Sequence, residues 1–465
     1  MATAFTPTTC APESVGAAAH RARWLRELSE LLSFPSVSSQ AVHRGDVAAT
    51  ARWLERHLHR IGMQATQVLP GANGGAPSVY AQWIKAPNRP TVLFYGHFDV
   101  QPAEPLDDWR TPPFRPTVVG QRLYARGASD DKGQFFIHLK AIESLLAENG
   151  RLPVNVKVWL EGEEEVGSPT IDAFLDREVD RLRADAIIVS DTQMAAPGRP
   201  AIIYGLRGML DCTITARGPG RDLHSGLYGG AVQSPLQALC TIIAGLHNRQ
   251  GRVTVPGFYA RVRPVSLAER RDLRRHGPSD TALLADLGVP VGWGEPGFSM
   301  FERTTIRPYL TVTSLCDPSA PRGGKAAIPA HAVARLSLRL IPDQDPFEIA
   351  ELLRRQLAQV PIADVALQLT VDGAAYPILL PRDTAATRAV VRAVVQAWGV
   401  LPIFTRNGGS IAAVERLYRR LKAPMTLLGF GLQSDRIHAA NEHLHLPTFF
   451  RGVQTMRRFL VEYAR

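Results

Sequence analysis

Pro90-Thr91-Val92-Leu93-Phe94-Tyr95-Gly96-His97-Phe98-Asp99 begins with a nearly all-apolar run and closes on a histidine and an aspartate. A short run without polar alternation predicts a strand covered on both faces, as in the buried layer of an α/β protein. Residues 154–160 and 185–190 have the same character, and 78–84 read as another strand. Helical spacing recurs around them. Trp24, Leu28, Leu31 and Leu32 share one face of 21–33. Trp53, Leu54, Leu58 and Ile61 do so in 46–61, which Gly62 ends. Residues 134–148 and 170–175 read as further helices. Strands alternating with helices predict layered α/β architecture.

The pattern changes near Tyr204. Residues 208–216, 309–315, 331–340 and 365–372 read as strands, some with period-two alternation, and helices at 234–246 and 346–358 lie between them. The α/β pattern resumes with a helix at 385–398 and a strand at 425–430. The expectation is one α/β domain, residues 1–204 and 377–465, interrupted by an α+β insert at 205–376.

The composition limits the function classes. The chain has 465 residues, 45% hydrophobic and 21% charged, ample for a large core and unlike a disordered chain. No stretch approaches the ~18–20 apolar residues of a membrane helix, so no membrane partner is expected. The first twenty residues lack a basic start and an apolar core; no secretory leader and a cytoplasmic location are expected. Cys10, Cys212, Cys240 and Cys316 are scattered, which fits reduced thiols. The net charge of +10 is spread along the chain, and even the densest cluster, Arg270-Arg271-Asp272-Leu273-Arg274-Arg275, includes an acid. No nucleic-acid partner is expected, because aromatic–basic interleaving is missing. Neither a GxxxxGK[ST] phosphate loop nor a GxSxG elbow occurs.

Five segments carry the chemistry. Gly96-His97-Phe98-Asp99 follows the 90–95 strand. Gly127-Ala128-Ser129-Asp130-Asp131-Lys132-Gly133 precedes a helix. Glu161-Gly162-Glu163-Glu164-Glu165-Val166-Gly167 follows strand 154–160, Ser190-Asp191 ends another strand, and His438-Ala439-Ala440-Asn441-Glu442 lies near the C-terminus. Singly, each reads as a turn, a cap or a solvated charge run. Together, four sit at strand ends or the helix start beside them, where α/β proteins bind ligands. Carboxylates gathered there repel one another and need cations between them.

GHFDVQP (96–102), RGASDDKG (126–133), EGEEEVGSP (161–169), SDT (190–192), RDLHSGLYGG (221–230) and HAANE (438–442) together resemble the M20 family of metallopeptidases, its dipeptidase/carnosinase-like branch in particular. The resemblance implies a zinc-peptidase-like α/β catalytic domain with a mixed sheet, interrupted by a lid that forms a homodimer. It implies hydrolysis of a small peptide or amide bond, most simply as a dipeptidase, with two divalent ions: Zn2+ first, Mn2+ or Co2+ as alternatives. Asp130 would bridge the ions, His97 and Asp191 completing one shell and Glu165 and His438 the other. Asp99 would accept the second ring N–H of His97. Glu164 would be the general base, with Glu163/Glu164 the alternative register for base and ligand. His224 would come from the partner subunit to stabilise the oxyanion. Arg339 would grip the substrate carboxylate beside Gly408, Gly409 and Ser410.

One position departs from the branch. Where carnosinase-like enzymes carry a glutamate for the substrate's amino group, this chain has Asn407, in Arg406-Asn407-Gly408-Gly409-Ser410. A neutral amide cannot form that ion pair. This keeps open a second expectation, an N-acyl or N-carbamoyl amino-acid amidohydrolase, with Glu442 a possible substitute charge.

Overall fold

The structure, a computed structural model, describes residues 15–318, 326–362 and 364–465, with side chains from residue 19; Cys10 lies outside them. Its contacts separate two units: Met1–Pro200 with Ala385–Pro402 and Leu427–Arg465, and Ala201–Thr384 with Ile403–Thr426.

In the first unit a mixed sheet runs in the order Gln64–Leu69, Ser78–Trp83, Asn155–Glu161, Thr91–His97, Ala186–Val189. The first two strands and the 78–83/155–161 pair are antiparallel. Thr91–His97 lies parallel to both its neighbours, with Val92 opposite Val156 on one side and Ala186 on the other. The apolar run is explained by its two covered faces. Phe94 stacks on His138 of helix Lys132–Asn149 at 4.6 Å and meets Phe459 of helix Leu446–Tyr463 edge-on at 6.5 Å. Tyr95 packs at 5.3 Å on Trp159, its neighbour across the strand pair, and Trp159 stacks on Phe174 of helix Ile171–Leu182. Rings of this size dominate core energetics, and a strand between two such layers has no polar edge to show. The expected helix at 170–175 is the first part of this longer one.

The second unit contains a four-stranded antiparallel sheet in the order Tyr309–Cys316, His331–Leu340, Gly208–Arg217, Ala366–Ala375. Leu210, Cys212, Ile214 and Ala216 alternate inward along one strand. They share a core with Leu239 of helix Pro235–Ala244 and with Ile349 and Leu353 of helix Pro346–Ala358. Period-two alternation therefore marks this sheet as covered on one face. The same unit pairs Ala201–Leu206 with Ile403–Asn407 in parallel and with Ile378–Leu379 antiparallel. Three short helices, Leu267–His276, Asp280–Leu287 and Met300–Thr305, start at Ser266, Ser279 and Ser299, whose side chains cap them. They bury few apolar residues, only Leu273 in the first, so hydrophobic periodicity did not announce them.

Candidate metal centre

The parallel strands 91–97, 155–161 and 186–189 all end at the same edge, and the residues just beyond them supply most of the site. His97 is the last residue of its strand, Glu164 and Glu165 form a single turn after the second, and Asp191 is two residues past the third. Asp130 sits just before helix Lys132–Asn149, and His438 lies in the loop after Met425–Leu428 with φ 62. The Asp130–Asp131 peptide is cis.

Two ligand groups result, His97–Asp130–Asp191 and Asp130–Glu165–His438, each with its donor atoms within 4.8 Å of one another. Asp130 belongs to both. Its Oδ1 lies 3.1 Å from His97 Nε2 and its Oδ2 2.8 Å from His438 Nε2. His97 Nε2 is 4.0 Å from Asp191 Oδ2, and His438 Nε2 is 3.3 Å from Glu165 Oε2. The two oxygens of one carboxylate thus face two separate imidazoles, the arrangement a bridging ligand needs.

Electrostatics supports the fit. Burial, with Asp130 and Asp131 adding, raises Asp191 well above the usual carboxylate range. Burial pushes Glu164 up to about 8, with Asp99, Glu165 and Glu161 adding against the pull of His97. Hydrogen bonds to Asp130 and Glu165 raise His438 to about 10. The set therefore holds protons where positive charge is wanted, and divalent cations replace those protons on binding. Imidazole with carboxylate is a donor set that zinc and its neighbours accept.

A second layer fixes each donor. His97 Nδ1 donates to the Asp99 carbonyl at 3.1 Å, so the ring N–H is taken by the Asp99 main chain, with its carboxylate 3.4 Å away. That carboxylate also holds the 164–165 turn: it accepts the Glu164 N–H at 3.1 Å, the Glu165 N–H at 3.0 Å and the Ser38 hydroxyl at 2.6 Å. Gln101 donates to Glu165 Oε2 at 2.8 Å. Gln134 donates to the Ser129 carbonyl and accepts from Phe430 and Gly431 N–H, clasping the Asp130 loop to the His438 loop. Gly133 is required here, because a methyl at that position would sit 1.9 Å from the Ala128 carbonyl oxygen.

Glu442 is the largest addition to the sequence reading. Fully buried, it accepts from Arg126 Nη1 at 2.8 Å and from the N–H groups of Gly127, Ser129 and Asp130 at 2.9–3.0 Å. Both its oxygens are committed to the ligand loop, so it does not substitute for the charge missing at Asn407. The three consecutive glutamates also separate. Glu163 is tied to Ala76 N–H and to the Thr170 N–H and hydroxyl, Glu165 joins the ligand group, and Glu164 makes neither commitment.

Arg339, Asn407, Gly409, Ser410 and His224 all lie in the second unit. Arg339 Nη1 donates to Ser410 Oγ at 3.3 Å. Asn407 Oδ1 accepts the Gly409 N–H at 2.8 Å, so its amide shapes its own loop. His224, exposed, accepts the Gly226 N–H on Nδ1 at 3.1 Å, which leaves its ring proton on Nε2. Among the described residues, no helix is long and apolar enough to cross a membrane.

Residues 93–462 match peptidase family M20/M25/M40. The chain is 30% identical to the Cys-Gly metallodipeptidase of Schizosaccharomyces pombe, over 95% of each chain. Among solved structures, an M20 family metallo-carboxypeptidase from Sulfolobus solfataricus superposes with TM-score 0.85 at 29% identity, covering 95% of this chain and 99% of that one. Human carnosine dipeptidase 1 superposes with TM-score 0.82 at 26% identity, covering 96% and 97%. These relatives are peptidases, and the amidohydrolase expectation built on Asn407 is not favoured. The chain belongs to peptidase family M20/M25/M40, a family of metal-dependent hydrolases.

Proposed function

We propose that this protein is a dipeptidase that works with two divalent ions, zinc first among them and manganese or cobalt as alternatives. The observation that carries the reading is Asp130, one carboxylate shared between two ligand groups. His97 and Asp191 would hold one ion with it, and Glu165 and His438 the other. When bound, such ions would supply Lewis acidity and lower the pKa of a water towards ~7.

The chain's own residues do the rest. Glu164 takes a proton from the attacking water and returns it to the leaving nitrogen. Asp99 keeps Glu164 and Glu165 in register by holding both their N–H groups. Arg339, with Gly409 and Ser410, receives the substrate's free carboxylate, and Asn407 shapes that loop. His224 donates from Nε2 to the developing oxyanion. We extend the reading to a homodimer joined through the 205–376 lid, in which His224 serves the partner's site. Free Cys240 and Cys316, both exposed, suit a cytoplasmic setting.

The test is a panel of dipeptides, tripeptides and N-acyl amino acids with metal-loaded enzyme. Turnover of dipeptides well above the rest is expected. Preference for N-acyl amino acids would overturn the dipeptidase reading, and preference for longer peptides would replace it with a carboxypeptidase.

A further inference from the structure

We propose that Arg207 is a positioning residue for substrate recognition, holding the Gly408–Gly409–Ser410 loop and adding the second positive charge of the substrate-carboxylate subsite. The inference rests on the dipeptidase reading above and deepens it.

Arg207 lies between strands Ala201–Leu206 and Gly208–Arg217 and is only 7% exposed. It meets the loop at three points. Its Nε donates to the Gly408 carbonyl at 2.8 Å, its main-chain N–H donates to the Gly409 carbonyl at 3.2 Å, and its carbonyl accepts the Ser410 hydroxyl at 2.6 Å. The same Ser410 oxygen accepts from Arg339 at 3.3 Å. Arg207 is therefore one hydroxyl removed from the arginine assigned to the substrate. Gly408 is pressed into this contact: a methyl there would lie 2.3 Å from the Thr304 carbonyl and 3.0 Å from Arg207 Nη2.

The charge balance points the same way. Among the described residues, neither Arg207 nor Arg339 has a carboxylate partner; the Arg207 guanidinium rests over the Tyr309 ring at 4.9 Å, and its other contacts are the Gly408 and Arg307 carbonyls. Burial, with repulsion from Arg339, lowers Arg207 to about 10, against the pull of Tyr309. Elsewhere in this unit the buried Arg406 is paired with Glu269, and the partly buried Arg307 and Arg270 are paired with Glu295 and Glu302. An unpaired buried cation is costly. Buried Arg207 and partly buried Arg339, linked through one serine hydroxyl, form a site that an incoming carboxylate neutralises.

The experiment compares a free dipeptide with the same dipeptide carrying a C-terminal amide, for wild type, Arg207→Met and Arg207→Lys, each checked for equal metal content. Wild type is expected to favour the acid. Arg207→Met should raise KM for the acid about tenfold and shrink the acid-to-amide preference similarly, with kcat on the amide changing less than about threefold. Arg207→Lys, which keeps the charge and loses the fork, should fall between the two. Should Arg207→Met fail to fold, the Lys variant alone must still show the smaller preference. An unchanged preference in a folded variant overturns the proposal alone, as does an equal loss on acid and amide. A wild-type enzyme that treats acid and amide alike overturns the carboxylate reading beneath it as well.

Discussion

Glu164→Gln should lower kcat by about 10²–10⁴-fold while leaving the bound metal unchanged. The turn Glu164–Val166 follows a strand of the sheet and is held by Asp99 through two N–H groups. Of the three adjacent glutamates, Glu163 is occupied by Thr170 and Ala76, and Glu165 faces His438 and Asp130. Glu164 is left among the ligands with its carboxylate uncommitted. Burial raises its pKa, so in the metal-free chain it already tends to keep a proton. Bound cations oppose that rise and restore a carboxylate able to accept one. Glutamine preserves shape and removes the proton acceptor, so kcat falls and elemental analysis finds the same ions. A Glu163→Gln variant with the large loss, beside an active Glu164→Gln, would move the base by one residue.

Glu442→Ala is expected to cost about 3–5 kcal/mol of stability, because removing one member of a buried pair strands the other. Arg126, only 2% exposed, would lose its carboxylate, and three N–H groups of the 127–130 loop would lose their acceptor. Since Asp130 lies at the end of that loop, metal affinity should fall with stability. Glu442→Gln, which keeps an acceptor oxygen, should lose less of both. Denaturant melts and metal titration read the two effects separately. A Glu442→Ala variant of wild-type stability and affinity would mean that the loop holds its shape without this clamp.

Much of this centre was legible in the sequence. Ligands that follow buried strands announce themselves, because an apolar run such as Val92-Leu93-Phe94-Tyr95 fixes where the strand ends and His97 begins the loop. The residues that hold the ligands were harder to read. Glu442 lies more than three hundred residues from the loop it clamps, and nothing local distinguishes its carboxylate from a solvated one. Gln134 is hidden likewise, since its partners Phe430 and Gly431 are found only by folding. Asp99 was legible as the neighbour of the His97 ring N–H; that its carboxylate also holds the 164–165 turn was not, because that turn lies more than sixty residues further along the chain. The helices at 267–305 escaped because they bury little, although the Ser299/Glu302 capping box was in plain view.

The most direct measurement is the metal stoichiometry of the wild-type chain and two variants after loading with zinc and removal of excess. Two ions per chain are expected in the wild type, close to one in Asp191→Ala, where only one ligand group is broken, and none tightly held in Asp130→Ala, where both lose their common member. A wild-type chain that binds a single ion, or an Asp130→Ala chain that keeps two, would contradict a two-ion centre bridged by Asp130.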